Sequence, residues 1–406
     1  MTERCVLAEV LTGIETGKSF QTAERLAADT ELGVLKVSAV SWSEFLPAEA
    51  KALTDDYTPS ESHRVRKGDL LISRANTREL VGAAVRVDRD YPLRLLSDKT
   101  LRLLIDESRC DKGYLLYALR APMARAHIEQ FASGSSESMR NISQDVIRAI
   151  PMWLPPLAEQ RRIAALLKAQ LAEVETARQA AQTQVRDAAL LRQRLLQQAF
   201  AGLRDVPMKV LGERASTTSG TTPSRGVSRY WSPAEVPWVK TGEVAFAPIT
   251  RTEEAVSRQA LAECSLSLLP PETVLVAMYG QGKTRGQSAV LKVEATTNQA
   301  CFAILPNDTW DAEFLQLWLT AAYDDLRGLS DGRGGNQANL NGALLNALEV
   351  PAPDLATQRR LVANLQAQLA EADAIAQAAA ARLAEIERLP QQLLAQAFRT
   401  AEECSA

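Results

Sequence analysis

The chain has few of the residues that build metal sites and disulfide-bonded folds. Its 406 residues include two histidines, His63 and His127, and five scattered cysteines with no Cys-x-x-Cys spacing. Structural zinc sites and disulfide frameworks need such residues in clusters or in short pairs. The composition therefore argues against both and favours a protein of the reducing cytoplasm.

Long apolar runs and an excess of positive charge are also missing. The most apolar stretches, residues 101–105 and 273–278, have the length of strands, and the first residues carry no signal-peptide pattern. We therefore expect no membrane segment. The formal net charge is −3, whereas a protein that holds DNA by phosphate neutralisation alone is usually basic. Either the chain binds no nucleic acid, or its basic residues act locally and a partner supplies much of the electrostatic attraction.

What the sequence does contain is a repeat. Residues 155–163, Pro-Pro-Leu-Ala-Glu-Gln-Arg-Arg-Ile, return at 353–361 as Pro-Asp-Leu-Ala-Thr-Gln-Arg-Arg-Leu, and the match runs without a gap to Phe200 and Phe398. The offset is 198 residues (398 − 200), far above the period of about 20–50 residues that solenoids show. It indicates a duplicated unit, a globular part followed by a long helix. We place the segments at 1–154, 155–203, 204–352 and 353–406.

Each copy of the repeated motif opens a segment that predicts one long helix. Residues 158–201 contain no Pro or Gly and are rich in Ala, Leu, Gln, Arg and Glu, which are strong helix formers. A helix this long cannot bury its apolar stripe alone, so we expect the two copies to pack as an antiparallel coiled coil. Pro390 predicts a bend in the second helix. The predicted heptad seam is Leu167, Val174, Ala181, Ala188 and Leu195 with Ile163, Ala177 and Leu191, and in the second copy Leu365, Ala372, Ala379, Ile386 and Leu393 with Leu361, Ile375 and Leu389.

Each globular part is predicted to be a mixed α/β unit with two polar loops. Residues 68–74 and 271–277 each predict a turn and a strand that lead into a polar loop with a downstream glycine. Each part also closes on a small polar loop, residues 134–142 or 332–340. Asn and Gln can pair bidentately with adenine, Arg with guanine, and Ser with either base. Finding comparable loops in both halves favours base reading about as much as ordinary surface turns.

One segment resembles a nucleotide-binding loop. Residues 277–284, Ala-Met-Tyr-Gly-Gln-Gly-Lys-Thr, fit a relaxed phosphate-loop pattern, but the strict pattern needs Gly in place of Ala277. A downstream strand that ends in a metal-binding Asp is also missing. A coiled-coil ATPase that uses Lys283 and Thr284 is therefore an alternative, and a structural coiled-coil adaptor is another. We find no methyltransferase motif and no Ser-His or Cys-His arrangement, which favours a recognition subunit over an enzyme.

The chain resembles the specificity subunits of type I restriction–modification enzymes over its entire length. The most specific marks are the paired Pro-x-Leu-x-x-Gln-Arg-Arg segments that open the two helices, although Asp354 stands where a second Pro is expected. Further marks are residues 219–225, Ser-Gly-Thr-Thr-Pro-Ser-Arg, the Tyr-Trp pair at 230–231, and residues 236–243. Residues 33–37 carry a weak version of the last mark in the first half.

The resemblance implies an α+β fold with two pseudo-repeated mixed α/β target-recognition domains, separated by two long helices that form an antiparallel coiled coil. It implies a non-catalytic subunit of a cytoplasmic complex that reads the two halves of a split, asymmetric site in double-stranded DNA. Two methyltransferase subunits would bind the helices and bring S-adenosylmethionine for adenine N6 methylation. Where restriction subunits exist, two motor–nuclease chains would bring ATP and Mg²⁺. The chain itself is then expected to bind no cofactor and no metal, and to lie away from membranes.

The expected DNA contacts come from the polar loops, and each of these residues has the alternative of being an ordinary surface polar group. In the first half they are Arg74, Asn76, Arg78, Ser135, Ser136, Arg140 and Asn141. In the second half they are Gln281, Lys283, Arg285, Arg333, Asn336, Gln337 and Asn339.

Overall fold

A computed structural model of the chain describes residues 3–40, 44–54, 57–136, 139–203, 205–280, 282–329 and 339–403. The chain divides into two compact units. The first comprises Met1–Ala181 and Arg382–Ala406, and the second comprises Gln182–Ala381. Both divisions fall inside long helices, so each unit is built from a globular part and pieces of two helices.

The first unit combines strands with short helices. Its elements are β1 (Glu3–Val6), β2 (Leu11–Thr16), β3 (Thr22–Leu26), β4 (Gly33–Leu35), β5 (Ala50–Leu53), β6 (Arg64–Val65), β7 (Leu70–Ser73), β8 (Ala75–Asn76), β9 (Ala84–Arg86), β10 (Tyr91–Leu95), β11 (Thr100–Ile105), α1 (Lys112–Arg120), α2 (Pro122–Phe131), β12 (Ser133–Ser136), β13 (Met139–Asn141), α3 (Gln144–Arg148), β14 (Pro151–Leu154) and the first part of α4 (Leu157–Ala201). The strands form sheets of order β3-β5-β4-β10-β6, β2-β11-β7-β9, β12-β13-β8 and β1-β14.

The second unit is built in the same way. Its elements are β15 (Met208–Val210), α5 (Leu211–Arg214), β16 (Thr217–Ser219), β17 (Val236–Val239), β18 (Glu254–Val256), α6 (Arg258–Glu263), β19 (Val274–Ala277), β20 (Ser288–Val290), β21 (Thr296–Thr297), β22 (Cys301–Ile304), α7 (Ala312–Ala321), α8 (Tyr323–Gly328), α9 (Gly342–Asn346), β23 (Glu349–Pro351) and most of α10 (Leu355–Glu403). Its sheets have the order β15-β23, β16-β22-β19-β20 and β18-β17-β21.

The two units share sheet topology, which extends the repeat from the helices to the globular parts. The four-stranded sheet β2-β11-β7-β9 corresponds to β16-β22-β19-β20, and each is antiparallel throughout. Strand β4 pairs antiparallel with β5 and parallel with β10, just as β17 pairs with β18 and β21. The prediction of two pseudo-repeated α/β parts in an α+β fold is therefore confirmed.

The short helices begin where the sequence supplies caps. The Asp111 carboxylate accepts a hydrogen bond from Tyr114 N at 2.9 Å at the start of α1, and Asp311 accepts one from Glu313 N at 3.1 Å at the start of α7. Ser143 caps α3 in the same way as Asn341 caps α9. Such caps satisfy main-chain N–H groups that the first helical turn leaves unpaired.

Each unit completes its core with the beginning of one long helix and the end of the other. In the first unit, Leu167 of α4 and Leu394 of α10 join the buried cluster of the β2-β11-β7-β9 sheet. In the second unit, Leu365 of α10 and Leu196 of α4 join the corresponding cluster. The positions used match at the 198-residue offset: Ile163 with Leu361, Leu167 with Leu365, Leu171 with Leu369, Leu196 with Leu394, and Phe200 with Phe398.

The long helices pack antiparallel, but one of the two rows of their buried seam lies at other positions than predicted. The seam position is buried at Ala181 and Ala188, as expected. At the partner position Ala177 is exposed, and Ile375 and Leu389 keep 47% and 37% of their surface in solvent, so these three assignments were wrong. The actual partner row lies one residue later, at 171, 178, 185 and 192 in α4 and at 362, 369, 376, 383 and 390 in α10, all buried or half-buried. Both rows keep the seven-residue repeat of a coiled coil. Helix α10 continues through Pro390 without a break.

The Gln of the repeated motif ties each long helix to its globular part. Gln160 is fully buried, its Nε2 donates to Arg109 O at 2.9 Å and Pro155 O at 2.7 Å, and its Oε1 accepts from Asp111 N at 2.8 Å. Gln358, also fully buried, makes the equivalent three bonds to Thr309 O, Pro353 O and Asp311 N, each at 2.8 Å. Because a buried amide is stable only when its donors and acceptor are satisfied, this explains the repeated Gln in structural terms.

Candidate nucleic-acid interface

The loop that connects β7 to β9 carries the first group of predicted contacts. Its base is closed by two main-chain hydrogen bonds of 2.8 Å, from Gly82 N to Ser73 O and from Ser73 N to Ala83 O. Gly82 has a φ of +75°, a conformation that favours glycine. The loop therefore leaves a buried sheet at a defined point and exposes its polar side chains beyond it.

A small sheet joins this loop to the second predicted segment of the first half. Strand β8 of the loop pairs with β13, so that Arg140 lies opposite Asn76, and β13 pairs with β12. Ile142 N also donates to Arg74 O at 2.9 Å. Two segments more than 50 residues apart in sequence thus form one surface.

The predicted residues of the first half differ in exposure. Arg74, Arg78 and Asn141 are exposed, whereas Asn76 and Arg140 are half-buried. Asn76 Oδ1 accepts from Thr77 N at 2.9 Å, and Arg140 Nη1 donates to Gly134 O at 3.2 Å. The main chain of Ser135 and Ser136 lies in β12, while their side chains lie outside the described part of the structure.

The second unit presents a loop on the same base, between β19 and β20. Gly286 N donates to Ala277 O and Ala277 N donates to Gln287 O, both at 2.8 Å. Met278 N donates to Ala300 O at 2.8 Å, as Arg74 N donates to Lys99 O at 2.8 Å. Leu340 N donates to Met278 O at 3.1 Å, just as Ile142 N donates to Arg74 O in the first unit. The loops 74–82 and 278–286 therefore start and end at equivalent positions and have the same length.

This equivalence explains where the predicted residues of the second half lie. Lys283 and Asn339 are exposed, the latter one residue before the Leu340 that bonds to the loop. Arg285 is only 7% exposed, so its side chain does not stand at the loop tip as the sequence predicted. It occupies the position of Val81, which is fully buried in the first unit. Gln281, Arg333, Asn336 and Gln337 lie outside the described residues.

Three further polar residues belong to the same surfaces and were not predicted from the sequence. Glu79, the equivalent of Lys283, is exposed, and hydrogen bonds from its own main-chain N–H and from the Thr77 hydroxyl lower its carboxyl pKa. A carboxylate at this place can accept from cytosine N4. Lys99 and Gln299 are exposed on the equivalent turns beside the two loops. No local motif marks them, because strand pairing alone brings these turns to the loops.

The glycine-rich loop does not have the surroundings of a phosphate loop. In a phosphate loop the Lys-Thr pair opens a helix whose N-terminus faces the phosphates. Here Thr284 is followed by β20, which pairs antiparallel with β19. The main-chain oxygen of Lys283 accepts a 2.6 Å hydrogen bond from the Tyr323 hydroxyl. The local backbone is that of a hairpin loop.

The residues at 219–243 that carry the resemblance have structural roles in the second unit. The Arg225 guanidinium lies 3.8 Å from the centre of the Trp231 ring and 5.2 Å from that of Trp238. It also donates to the Glu254 carboxylate of β18 at 2.5 Å. A guanidinium stacked on aromatic faces and paired with a carboxylate stabilises the sheet that holds it.

Neither a metal site nor a membrane helix is found within the described ranges. No group of three or more His, Cys, Asp and Glu residues there could hold a metal ion. None of the described helices is long and apolar enough to cross a membrane. Burial raises the pKa of the Cys110 and Cys301 thiols to about 12, which leaves these two cysteines protonated at neutral pH.

Comparison with known proteins agrees with the geometry. Residues 205–388 match the family described as the type I restriction modification DNA specificity domain. The chain is related to the specificity subunits of type I restriction–modification systems. The matched segment includes the loop 278–286 and the first two thirds of α10.

Two curated relatives share part of their length with this chain. It is 29% identical over 162 residues to the EcoEI specificity subunit of Escherichia coli, covering 40% of this chain and 27% of that protein. It is 29% identical over 167 residues to the MjaIX specificity subunit of Methanocaldococcus jannaschii, covering 40% of this chain and 37% of that protein. The match thus spans about a quarter to a third of these relatives.

Solved structures support the fold over the whole chain. The HsdS subunit from Thermoanaerobacter tengcongensis has a TM-score of 0.63 and 20% identity, covering 98% of this chain and 96% of that one. A chain from a study of complex assembly and conformational transition of the type I R-M system has a TM-score of 0.73 and 20% identity, covering 98% and 97%. At this identity the likeness establishes the architecture.

Proposed function

We propose that this chain reads a split, asymmetric site in double-stranded DNA and directs adenine methylation there. The observation that carries the proposal is the pair of equivalent loops 74–82 and 278–286, each on the same hydrogen-bonded base and each with exposed polar residues. The side chains at equivalent positions differ, with Glu79 in one loop and Lys283 in the other. Two loops that share the same hydrogen-bonded base but carry different side chains are suited to reading two different half-sites.

The energetics favour discrimination by this chain and a shared role in affinity. Each good bidentate base contact contributes about 1–3 kcal/mol of discrimination, so a few contacts in each loop suffice. Electrostatic attraction to the phosphates supplies a large share of the affinity of a protein for DNA. With a formal net charge of −3, this chain offers little such attraction overall. We assign that attraction to the partner subunits.

Two methyltransferase subunits are proposed to bind the long helices and to supply S-adenosylmethionine and the catalytic residues. Restriction subunits with ATP and Mg²⁺ would join where the system cuts DNA. The lengths of α4 and α10, 45 and 49 residues, are proposed to set the number of unread base pairs between the half-sites. These assignments follow the relatives and are tested through the assembled complex.

The test is a map of adenine methylation in host cells with this chain present, deleted or altered. Deletion should abolish one two-part motif, and the motif itself would reveal both half-sites. An unchanged methylation map with an intact, expressed methyltransferase partner would contradict the proposal. The purified chain would then be tested for ATP binding, which the alternative of an ATPase requires.

A single loop residue gives a sharper prediction. Lys283→Ala should lower the preference for the correct base at one position of one half-site by about 5- to 100-fold and leave the other half-site unchanged. Arg251→Ala, an exposed residue outside the loop, is the matched control and should change neither. If Lys283→Ala left recognition and affinity as in the wild type, the assignment of Lys283 would be wrong. A structural adaptor would show no sequence preference with any variant.

A further inference from the structure

In the first unit, Arg125 binds the main chain of the second half of the loop 74–82. Arg125 of α2 donates from Nη1 to Val81 O at 2.7 Å, and its Nη2 lies 3.5 Å from Arg78 O and 3.3 Å from Glu79 O. Its side chain is 13% exposed and lies 3.4 Å from the Glu129 carboxylate. The guanidinium therefore contacts three main-chain carbonyls of one loop, those of Arg78, Glu79 and Val81.

In the second unit, an arginine from the equivalent helix does the same. Arg327 of α8 donates from Nη1 to Arg285 O at 3.0 Å and lies 3.3 Å from the Tyr323 hydroxyl. The Tyr323 hydroxyl donates in turn to Lys283 O at 2.6 Å. Arg327 and Tyr323 thus bind the two carbonyls that correspond to those of Val81 and Glu79, since positions 81 and 285 each precede the closing glycine.

The glycines keep this contact close. A Cβ at Gly82 would lie 2.8 Å from Ile128 Cδ1 of α2, and Gly82 has a φ of +75°. At Gly286, with a φ of +86°, a Cβ would lie 3.4 Å from Arg327 Cγ. The first loop therefore packs against α2 with no space for a side chain at Gly82, whereas at Gly286 it is the positive φ that favours glycine. In both loops the arginine contacts the main chain between the tip and this glycine.

We propose that Arg125 and Arg327 are positioning residues for sequence recognition, which hold Glu79 and Lys283 at the height and angle that base contact requires. The inference rests on the proposed function of the loops. Neither arginine was selected by its sequence context, because each lies about 40 residues from the loop it binds. Arg125 and Arg327, which we call the two clamp residues, lie in different units, so each should affect one half-site.

The experiment uses the complete complex of this chain with its methyltransferase partner and a library of DNA targets randomised at each half-site. Arg125→Met removes the hydrogen bonds that Arg125 donates to the loop, while it keeps a long side chain at this position. It should lower base discrimination about 10-fold or more in the half-site read by the first unit, and leave the other half-site as in the wild type. Arg327→Met should give the reverse pattern. Arg125→Lys keeps a donor for Val81 O and should restore part of the discrimination.

Arg120 provides the matched control. It is a half-buried arginine on the neighbouring helix α1, and it donates to Ala84 O in strand β9 at 2.9 Å, outside the loop. Burial lowers its pKa to about 10. Arg120→Met should lower the thermal unfolding temperature without changing base preference at either half-site. Equal loss of discrimination for Arg120→Met and Arg125→Met would show that only stability matters and would overturn the inference.

The remaining outcomes separate the inference from the proposed function. If Lys283→Ala alters recognition but neither clamp variant does, the loops read DNA and the positioning role is wrong. If Lys283→Ala, Arg327→Met and Arg125→Met all leave a sequence-specific complex unchanged, the loops are not the reading surface and both proposals fail.

Discussion

At the scale of single residues, the most conspicuous motif of the chain turns out to serve the fold. Polar residues that recur in both halves are natural candidates for function, and Gln160 and Gln358 recur in an otherwise matching segment. Both are fully buried, and each satisfies one main-chain donor and two main-chain acceptors. The residues proposed for recognition lie instead on loops where the two halves differ.

Replacing Gln160 by Leu should therefore destabilise the first unit. The change leaves one buried and two partly buried main-chain groups without their partners. Because each such loss costs about 1–3 kcal/mol, we expect a loss of roughly 3–5 kcal/mol of unfolding free energy. Hydrogen exchange across α1 and the first turns of α4 measures it within that unit. Gln170→Leu, at a half-exposed position of the same helix, is the control. Similar exchange rates in both variants would contradict the role assigned to Gln160.

At the scale of secondary-structure elements, the long helices complete the cores of both units and also connect these units. Their ends complete the cores of the two units, and their intervening lengths carry few large buried side chains, chiefly alanines such as Ala181, Ala188 and Ala372. Small side chains let helix backbones approach closely but contribute little burial each. The middle of each helix is therefore the place where length can change at the least cost to either core.

Adding one heptad to both helices should lengthen the recognised spacer. Seven residues inserted after Ala181 and seven after Ala381, where the units divide, add about 10.5 Å of helix and rotate the seam by only about 20°. At about 3.4 Å per base pair, the unread spacer should grow by roughly three base pairs. The methylated motif measures this directly. An unchanged spacer in an active complex would rule out the helices as its determinant, and insertion into one helix alone should abolish activity.

At the scale of the whole molecule, the chain is two versions of one design. Each globular part is closed by a two-stranded sheet, β1-β14 or β15-β23, that leads into a long helix through the same Gln contacts. Each core uses the same helix positions, offset by 198 residues. The parts should therefore be exchangeable as complete units.

Replacing residues 207–352 with a second copy of residues 3–154 should yield a chain that recognises two half-sites of identical sequence. The physical reason is that the inserted part meets Leu365, Leu196 and Phe200 where it formerly met Leu167, Leu394 and Phe398. Methylation mapping gives the result, and thermal unfolding checks that the exchanged chain is folded. A folded chain that still methylates the original asymmetric motif would show that recognition lies outside these parts.

The duplication, the two long helices, the α/β character of the globular parts and the family resemblance can all be predicted from the sequence alone. Each depends on signals that are local or periodic: strong helix formers without Pro or Gly, short apolar strands, and a motif repeated at a constant offset. The same reasoning named Arg74, Arg78 and Lys283, which are exposed on the two loops, and Asn339, which is exposed beside the second loop.

Which polar residues face solvent and which stabilise the fold depends on tertiary contacts. Arg285 is indistinguishable from Lys283 in local sequence, yet its position is equivalent to that of the buried Val81. The pairing of β8 with β13 and the contacts of Arg125 and Arg327 join segments about 40 to 65 residues apart. Such contacts depend on how the strands and helices pack, which no local pattern of side chains records.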